Sequence, residues 1–539
     1  MAGDNNSVDD LRTVLILRRS PSIVLLEPKW SQKFNLLKAW ESPIPQEQFL
    51  STHARSVRAL LSSSTGPPIT AQILQLLPSL KLIATTSAGL DHVDLAECRR
   101  RGVAVASAAK IFAEDVADTA VGLLLDVMRK ISASDRYVRD GLWACRGDYA
   151  LGSKIGGKRV GIVGLGNIGL QVANRLEAFG CSVSYNSRSE KPSLSYPFYS
   201  NVCALAANSD ALIICCSLTD QTHHLINKEV LSALGREGVI INIQTTKATK
   251  MARLQIRDAD DEVPSEDLPH LLLVHPPTPF TRFPSEFCEK FHVLKAWESP
   301  LPLDQFLLTH ARSIQALLVR DYLLVNAGLL QQLPALKLVM TASVGVNHID
   351  MIECRRRGIS VTNVGSAYSE DVADIAVGLF IDVLRKISAA DRYVSQGLWS
   401  SEGNYPLGSK VGKRVGIVGL GSIGSEVAKR LEAFGCIISY NSRRKKPSLS
   451  YPFYSKVSEL AANSDALIIS CALTDQTHHM INKEVLSFLG REGVIVNVGR
   501  GAIIDEKELV KCLVNREIKV ANLEAFFSNK PLVTPVMDA

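Results

Sequence analysis

Regular cysteine spacing is missing from this chain, and so are a long apolar run and an extended basic face. Its eleven cysteines are scattered, with no CxxC pair. That offers no metal-ligand spacing and fits buried free thiols in a reducing compartment; Cys215 and Cys216, for example, lie inside the apolar run "ALIICCS". No apolar run approaches the roughly 18 residues that a membrane span needs, so a membrane is not an expected partner. The net charge of +6 is small for 539 residues, and "SRRKK" at Ser442–Lys446 is its longest basic block. Nucleic acid is therefore not an expected partner either. The opening residues "MAGDNNSVDD" are acidic, without a signal or transit pattern. The expectation is a cytoplasmic protein.

What the chain does contain, it contains twice. "LLKAWESPIPQEQFLSTHARSVRALL" from Leu36 returns as "VLKAWESPLPLDQFLLTHARSIQALL" from Val293. "GLDHVDLAECRRRGV" from Gly89 returns as "GVNHIDMIECRRRGI" from Gly345. The period is about 255 residues, far beyond a solenoid unit, so each copy should be an autonomous unit of more than one domain. "RDADDEVPSEDLP", Arg257 to Pro269, is acidic and poor in apolar residues, and reads as part of an exposed linker. Strands alternate with helices through both copies, which predicts an α/β fold with a mainly parallel sheet. The helices at Glu114–Ile131 and Glu370–Ile387 are apolar on nearly all sides and should be buried on more than one face. Ser369 is positioned to cap the second, with Glu370 and Asp371 complementing the dipole of its first turn.

A GxGxxG motif is weak evidence on its own. Here "RVGIVG" reads as a strand before it, and a helix with a further strand follows in each copy. That context predicts a dinucleotide site at Gly164, Gly166, Asn167, Ile168 and Gly169, and again at Gly419, Gly421, Ser422, Ile423 and Gly424. The next strand ends "YNSR" in both copies, where an NAD site usually carries an acid for the ribose hydroxyls. Ser187 and Arg188, and then Ser442, Arg443 and Arg444, can instead bond a 2′-phosphate. NADPH is the expected cofactor rather than NADH, against the alternative of a merely solvated basic loop. Glu190 weakens the case in the first copy.

With these motifs, "LTDQTHH" and "NVGRGAIIDEKEL" added, the chain resembles the D-2-hydroxyacid dehydrogenases, and among them the plant-type NADPH-dependent glyoxylate/hydroxypyruvate reductases. The resemblance implies two tandem copies, each a doubly wound Rossmann-type nucleotide domain inserted in a flavodoxin-like substrate domain. It places the substrate domains at 10–118 and at 270–374 plus 520–539. It places incomplete nucleotide domains at 119–250 and 375–519, with a linker at 251–269. It implies that a small 2-keto acid is reduced to a D-2-hydroxy acid. Backbone amides of Ser87, Ala88 and Gly89, and of Ser343, Val344 and Gly345, would receive its carboxylate, and Arg500 would be the catalytic arginine. A guanidinium suits that task because it is permanently charged and presents a fork of donors. The family also uses a His, oriented by a Glu, as general acid.

Two features depart from the family pattern. Thr245 stands where Arg500 stands, and the first copy then runs into the linker. In the second copy "ELVKCLVNREI" passes directly into "KVANLEAFF", which resembles the family's closing helix, so both copies are truncated near the Glu and His segments. His270 precedes the opening strand of the second copy and is not an expected substitute. His223, His224, His478 and His479 read as capping or packing residues at a helix start, and His92 and His348 as neighbours of the substrate turn. The chain is accordingly either a reductase or a catalytically impaired NADP(H)-binding product of duplication. Family members pair as homodimers. Tandem copies on a short tether imply an intramolecular pseudo-dimer, with two independent beads, or an exchange of the terminal helix into the first copy, as the competing arrangements.

Overall fold

The computed structural model describes residues 12–523 apart from 20, 54, 64–65, 88, 91, 109–110, 148, 151, 220, 244–268, 275–290, 320–322, 404, 407, 516 and 518–519. The linker expected at 251–269 therefore lies almost wholly outside the described residues, as do Ala88, Thr245 and everything after Leu523. Contacts divide the chain into two units. The first comprises Met1–Ala120, Lys158–Glu177 and Ser182–Thr246; the second comprises Val121–Gly157, Ala178–Cys181 and Lys247–Ala539.

Two parallel sheets build the first unit. β1 (Arg12–Ile16), β2 (Phe34–Lys38), β3 (Ala59–Ser62), β4 (Leu82–Thr85) and β5 (Ala104–Ser107) lie in the order β2-β1-β3-β4-β5. β6 (Arg159–Val163), β7 (Ser182–Asn186), β8 (Ala211–Ile214) and β9 (Val239–Asn242) lie in the order β7-β6-β8-β9. The second unit repeats both. β10 (His270–Leu273), β11 (His292–Lys295), β12 (Ile314–Val319), β13 (Leu338–Thr341) and β14 (Ser360–Asn363) form one sheet, ordered β11-β10-β12-β13-β14. β15 (Arg414–Val418), β16 (Ile437–Asn441), β17 (Ala466–Ile469), β18 (Val494–Asn497) and β19 (Val520–Leu523) form the other, ordered β16-β15-β17-β18-β19. The strands are continuous apolar runs because helices cover both faces: all four residues of "ALII" are buried in β8 and again in β17. Matching positions fill matching cores. Leu60, Leu74 and Cys98 occupy one substrate-type core, and Leu317, Leu330 and Cys354 the other.

Six helices matter for the site and its support: α1 (Ala113–Arg129), α2 (Ile131–Arg139), α3 (Asn167–Ala178), α4 (Ser369–Arg385), α5 (Ile387–Ser395) and α6 (Ser422–Glu432). α4 is buried on several faces, as its composition predicts. Its one strongly buried charge is Asp374, which accepts from Arg430 Nε of α6 at 2.9 Å and from the Ile155 amide at 3.3 Å. In the first unit Asp118 of α1 accepts from Arg175 Nε of α3 at 2.8 Å. α1 and α4 end where Lys130 and Lys386 turn left-handed, at φ 58° and 57°. The carboxylates of Asp126 and Asp382 then accept the Ser132 and Ser388 amides at 2.6 Å, satisfying orphan donors at the starts of α2 and α5.

Within the second unit, Val121–Arg139 packs closely on α4 and α5. A Cβ on Gly122 would fall 2.7 Å from Ile381 and Ile387, and one on Gly378 would fall 2.6 Å from Ile131. Glycine is thus what lets these helices approach. Arg129 Nη1 donates to Asp371 Oδ1 at 2.9 Å, the Ser132 and Ser388 hydroxyls meet at 3.2 Å, and Arg392 pairs with Asp135, as Arg136 does with Asp391.

Two expectations about local structure are corrected. Ser369 does not cap α4: the helix starts at Ser369 itself, with Tyr368 as the preceding residue, so the Ser369 hydroxyl stands inside the first turn. Glu370 and Asp371 do occupy that turn. The segment read as a closing helix of the substrate domain instead begins as strand β19, paired in parallel with β18 from Val494↔Val520 to Asn497↔Leu523. Tertiary pairing overrides the local pattern here, because β18 would otherwise leave a row of backbone groups open at the sheet edge. In the first unit β9 is the last strand of its sheet among the described residues.

Asp382 yields a pH prediction. Burial pushes its carboxyl up from the ordinary 3.8 to about 6, with bonds from Ser388 opposing and Asp126 and Asp135 adding to the rise. A folded pKa above the unfolded one means that the folded chain holds the extra proton between about pH 4 and 6. Stability from this group is therefore present at the acid end and is lost as pH rises through 6. Asp382→Asn keeps the acceptor for Ser388 but cannot ionise. In urea denaturation, the variant should gain on the unmodified protein by about 1–2 kcal/mol between pH 4 and 7, a figure discounted for the partial exposure of the residue. A difference that stays flat across that range would refute the assignment.

Candidate active site

The glycine-rich loops lie at the points where strand order reverses. β15 has β16 on one side and β17 on the other, and the crevice above such a switch point is where open α/β sheets take ligands. Gly419 is left-handed at φ 97°, and a Cβ there would fall 2.6 Å from the Cys471 backbone at the end of β17. A Cβ on Gly424 would fall 2.3 Å from the Gly419 carbonyl oxygen. Gly421, by contrast, has open space over it, next to Ser422 and Ile423 in the first turn of α6. In the first copy Gly164 is at φ 98° and lies against Cys216, Gly169 lies against the Gly164 carbonyl, and Gly166 is open beside Asn167 and Ile168. Each loop thus combines two glycines required by packing, one leaving the backbone approachable, and a helix N-terminus. That geometry fits a pyrophosphate.

Burial holds the nearby thiols in their neutral form, Cys215 pushed up to about 12 and Cys471 to about 11. These cysteines act as packing groups.

The strand ends that should face the ribose share one turn. Ser442 Oγ donates to the Arg444 carbonyl at 2.6 Å, and Ser187 Oγ to the Ser189 carbonyl at 2.5 Å. The Tyr440 and Tyr185 hydroxyls accept the amides of Lys446 and Lys191, each at 2.8 Å. Arg443 and Arg444 are exposed, as is Arg188. On the same frame the second copy presents Arg443, Arg444, Lys445 and Lys446, where the first presents Arg188, Ser189, Glu190 and Lys191. Lys191 Nζ also donates to the Leu165 carbonyl in the glycine loop.

Arg500 meets the substrate-type turn of its own copy. A Cβ on Gly345 would stand 3.3 Å from Arg500 Nη2, so the guanidinium lies directly against this glycine. Asn497, at the end of β18, positions the arginine loop. Its Nδ2 donates to the Arg500 carbonyl at 3.1 Å and its Oδ1 accepts the Gly499 amide at 2.9 Å. Sequence reasoning missed Asn497; a lone Asn ending the apolar strand "VIVN" was the available signal. Asn363 was also missed. Its Nδ2 donates to the Val344 carbonyl at 2.6 Å from across the turn.

The turn itself departs from one expectation. The Ser343 amide donates to its neighbour Thr341 Oγ1 at 3.3 Å, and the Ser87 amide to Thr85 Oγ1 at 3.1 Å. An amide already engaged internally is a poor carboxylate receptor. If the turn is to receive a carboxylate, the amides left for it are those of Val344 and Gly345 in the second copy and of Gly89 in the first, where Ala88 lies outside the described residues. His223–His224 and His478–His479 form stacked pairs, 3.9 Å between ring centroids. They lie in turns rather than at helix starts, because Asn227 and Asn482 cap the helices that follow. His224 and His479 adopt left-handed φ of 57° and 51°. Among the described residues no group of His, Cys, Asp and Glu is arranged to hold a metal ion, and no helix is long and apolar enough to cross a membrane.

Residues 121–254 and 377–537 both match the family described as D-isomer specific 2-hydroxyacid dehydrogenase, NAD binding domain. Glyoxylate/hydroxypyruvate reductase HPR3 of Arabidopsis thaliana is 46% identical over 314 residues, which cover 50% of this chain and 97% of the relative. Hydroxyphenylpyruvate reductase of Plectranthus scutellarioides is 40% identical over 302 residues, covering 48% and 96%. Among solved structures, an NADPH-dependent glyoxylate/hydroxypyruvate reductase of Sinorhizobium meliloti in complex with NADP and malonate is 33% identical. It covers 50% of this chain and 82% of its own, with a TM-score of 0.46.

Proposed function

We propose, for a chain that belongs to the D-isomer specific 2-hydroxyacid dehydrogenase family, that its second copy is a slow NADPH-dependent reductase of hydroxypyruvate or glyoxylate and its first copy a non-catalytic partner. The observation that carries this reading is the Arg500 guanidinium against Gly345. Arg500 binds the substrate carboxylate together with the Val344 and Gly345 amides and polarises the ketone. One permanent positive charge serves both ends of a 2-keto acid. Asn497 keeps the guanidinium in register by fixing the loop on either side of it. The glycine loop from Gly419 to Gly424 would hold the pyrophosphate, and Ser442, Arg443 and Arg444 the 2′-phosphate. When bound, the reduced nicotinamide supplies the hydride. The first copy has Thr245 in place of the arginine, and neither copy carries a recognisable family Glu–His pair. Loss of a general acid typically costs about 10²–10⁴-fold in rate, so turnover of this chain is low.

The first copy's role as partner rests on contacts of its Val121–Arg139 segment with α4 and α5. Glycines at 122 and 378, the Arg129–Asp371 pair and the two Arg–Asp pairs of α2 with α5 are what an interface between copies needs. A partner on the same chain is present at an effective concentration of about millimolar, so pairing within a chain outcompetes pairing between chains.

Three outcomes check these proposals. In calorimetry NADPH should bind more tightly than NADH, and Arg443→Asp should flatten or reverse the preference; equal affinities in the unmodified protein would count against the 2′-phosphate assignment. Purified protein should reduce hydroxypyruvate at least a hundredfold more slowly than an intact relative, on the scale of a missing acid, and Arg500→Ala should reduce that residue of activity further. Turnover equal to that of an intact relative would show that another group supplies the proton. Finally, at nanomolar concentration the solution mass should be that of one chain. A mass of two chains would sink intramolecular pairing.

A further inference from the structure

Behind the substrate-type turn of the second copy runs a chain of polar groups that the proposed reaction has not yet used. His348 is buried, and its Nε2 lies 3.0 Å from Thr341 Oγ1. Thr341 Oγ1 lies 2.9 Å from Ser343 Oγ, and Ser343 Oγ donates to the Gly345 carbonyl at 2.9 Å. Thr341 Oγ1 also accepts the Ser343 amide. With all of these bonds made together, Ser343 gives its hydroxyl proton to Gly345, Thr341 gives its own to Ser343, and the Thr341 oxygen accepts from the Ser343 amide and from the Nε2–H tautomer of His348. A hydroxyl has one proton and two lone pairs, and this arrangement uses all three. The chain ends at Gly345, the residue against which Arg500 rests.

The first copy arranges the same imidazole differently. His92 Nε2 lies 3.3 Å from Thr85 Oγ1 and 3.3 Å from Ser62 Oγ, divided between two hydroxyls. The residue matching Ser62 is Val319, the last residue of β12, which has no hydroxyl to offer. The shorter His–Thr contact belongs to the copy that keeps the arginine.

We propose that His348 and Thr341 are positioning residues for the 2-keto acid, orienting the Ser343–Gly345 turn against Arg500, and that valine at 319 directs the imidazole to this task. The inference rests on the reading of Arg500 as the carboxylate-binding residue. His348 need not touch the substrate. It fixes the Thr341 hydroxyl, Thr341 draws the Ser343 amide and hydroxyl inward, and the turn then offers the Val344 and Gly345 amides on its outer side. Charge-assisted bonds from preset donors lose little when the ligand arrives, and a turn free to reorient would lose that advantage.

The test uses the full chain and oxalate, a non-reducible dicarboxylate that resembles the keto acid, with NADPH present. Thr341→Val should raise the oxalate Kd and the hydroxypyruvate KM about tenfold while leaving NADPH affinity unchanged. Val319→Ser should give a smaller rise in the same direction, about threefold. Thr341→Ser should restore both constants to within about twofold of the unmodified protein, which a merely space-filling role for the methyl group would not produce. Oxalate binding unchanged by Thr341→Val, with Arg500→Ala still abolishing it, would overturn this inference alone. Oxalate binding that ignores Arg500→Ala would overturn the reading of the site along with it.

Discussion

The buried carboxylate of Asp374 is the constraint around which the second unit is arranged. Its side chain and that of Arg430 are each only 1% exposed. Burial raises the Asp374 pKa, and Arg430, beside it, opposes that rise. Two charges in such a place are stable only when their remaining hydrogen-bonding positions are filled. Much of that need is met: Arg430 Nη1 donates to Glu426 Oε2 at 2.5 Å and to the Glu426 carbonyl at 3.1 Å, the guanidinium lies over the Phe179 ring, and Asp374 accepts the Ile155 amide as well. The pair locks α6, the helix that begins at the glycine-rich loop, to α4. The orientation of the dinucleotide loop is thereby tied to the helix that also carries Gly378 and Asp371.

The candidate active site depends on that rigidity because it has few groups of its own. One guanidinium, two backbone amides and a run of exposed basic residues carry the proposed chemistry. Asn497 and Asn363 hold the arginine loop and the Val344 carbonyl from outside, and His348 with Thr341 holds the turn from behind. Such supporting bonds matter because a displacement of about 1 Å in a reacting group can cost roughly a hundredfold in rate.

Comparison of the two copies separates what the fold needs from what the chemistry needs. The glycine loops agree closely, with Gly164 at φ 98° and Gly419 at 97°, as do the Ser187 and Ser442 turns and the buried Asp–Arg pairs. Three of the differences bear on the proposed site: Thr245 for Arg500, Ser62 for Val319, and Glu190 for Lys445. The first copy keeps the framework of a nucleotide domain but has no arginine at the position matching Arg500.

Sequence alone determined the duplication, the parallel α/β class, the glycine positions and the basic turn, because each rests on local rules: repeat period, strand–helix alternation, the steric freedom of glycine, and charge. It also marked Arg500, through resemblance. Tertiary structure decided whatever depends on partners distant along the chain. Val520–Leu523 is a strand because β18 offers it an edge. Ser343 and Ser87 do not offer their amides outward because neighbouring threonines take them. Asp374 and Asp118 sit inside apolar helices because Arg430 and Arg175 meet them there. The task of His348 could not be read from "GVNHID", since its direction is set by Thr341 seven residues earlier and by the missing hydroxyl at Val319, far along the chain on another strand. A hydrogen bond is specified by two ends, and the sequence shows only one of them at a time.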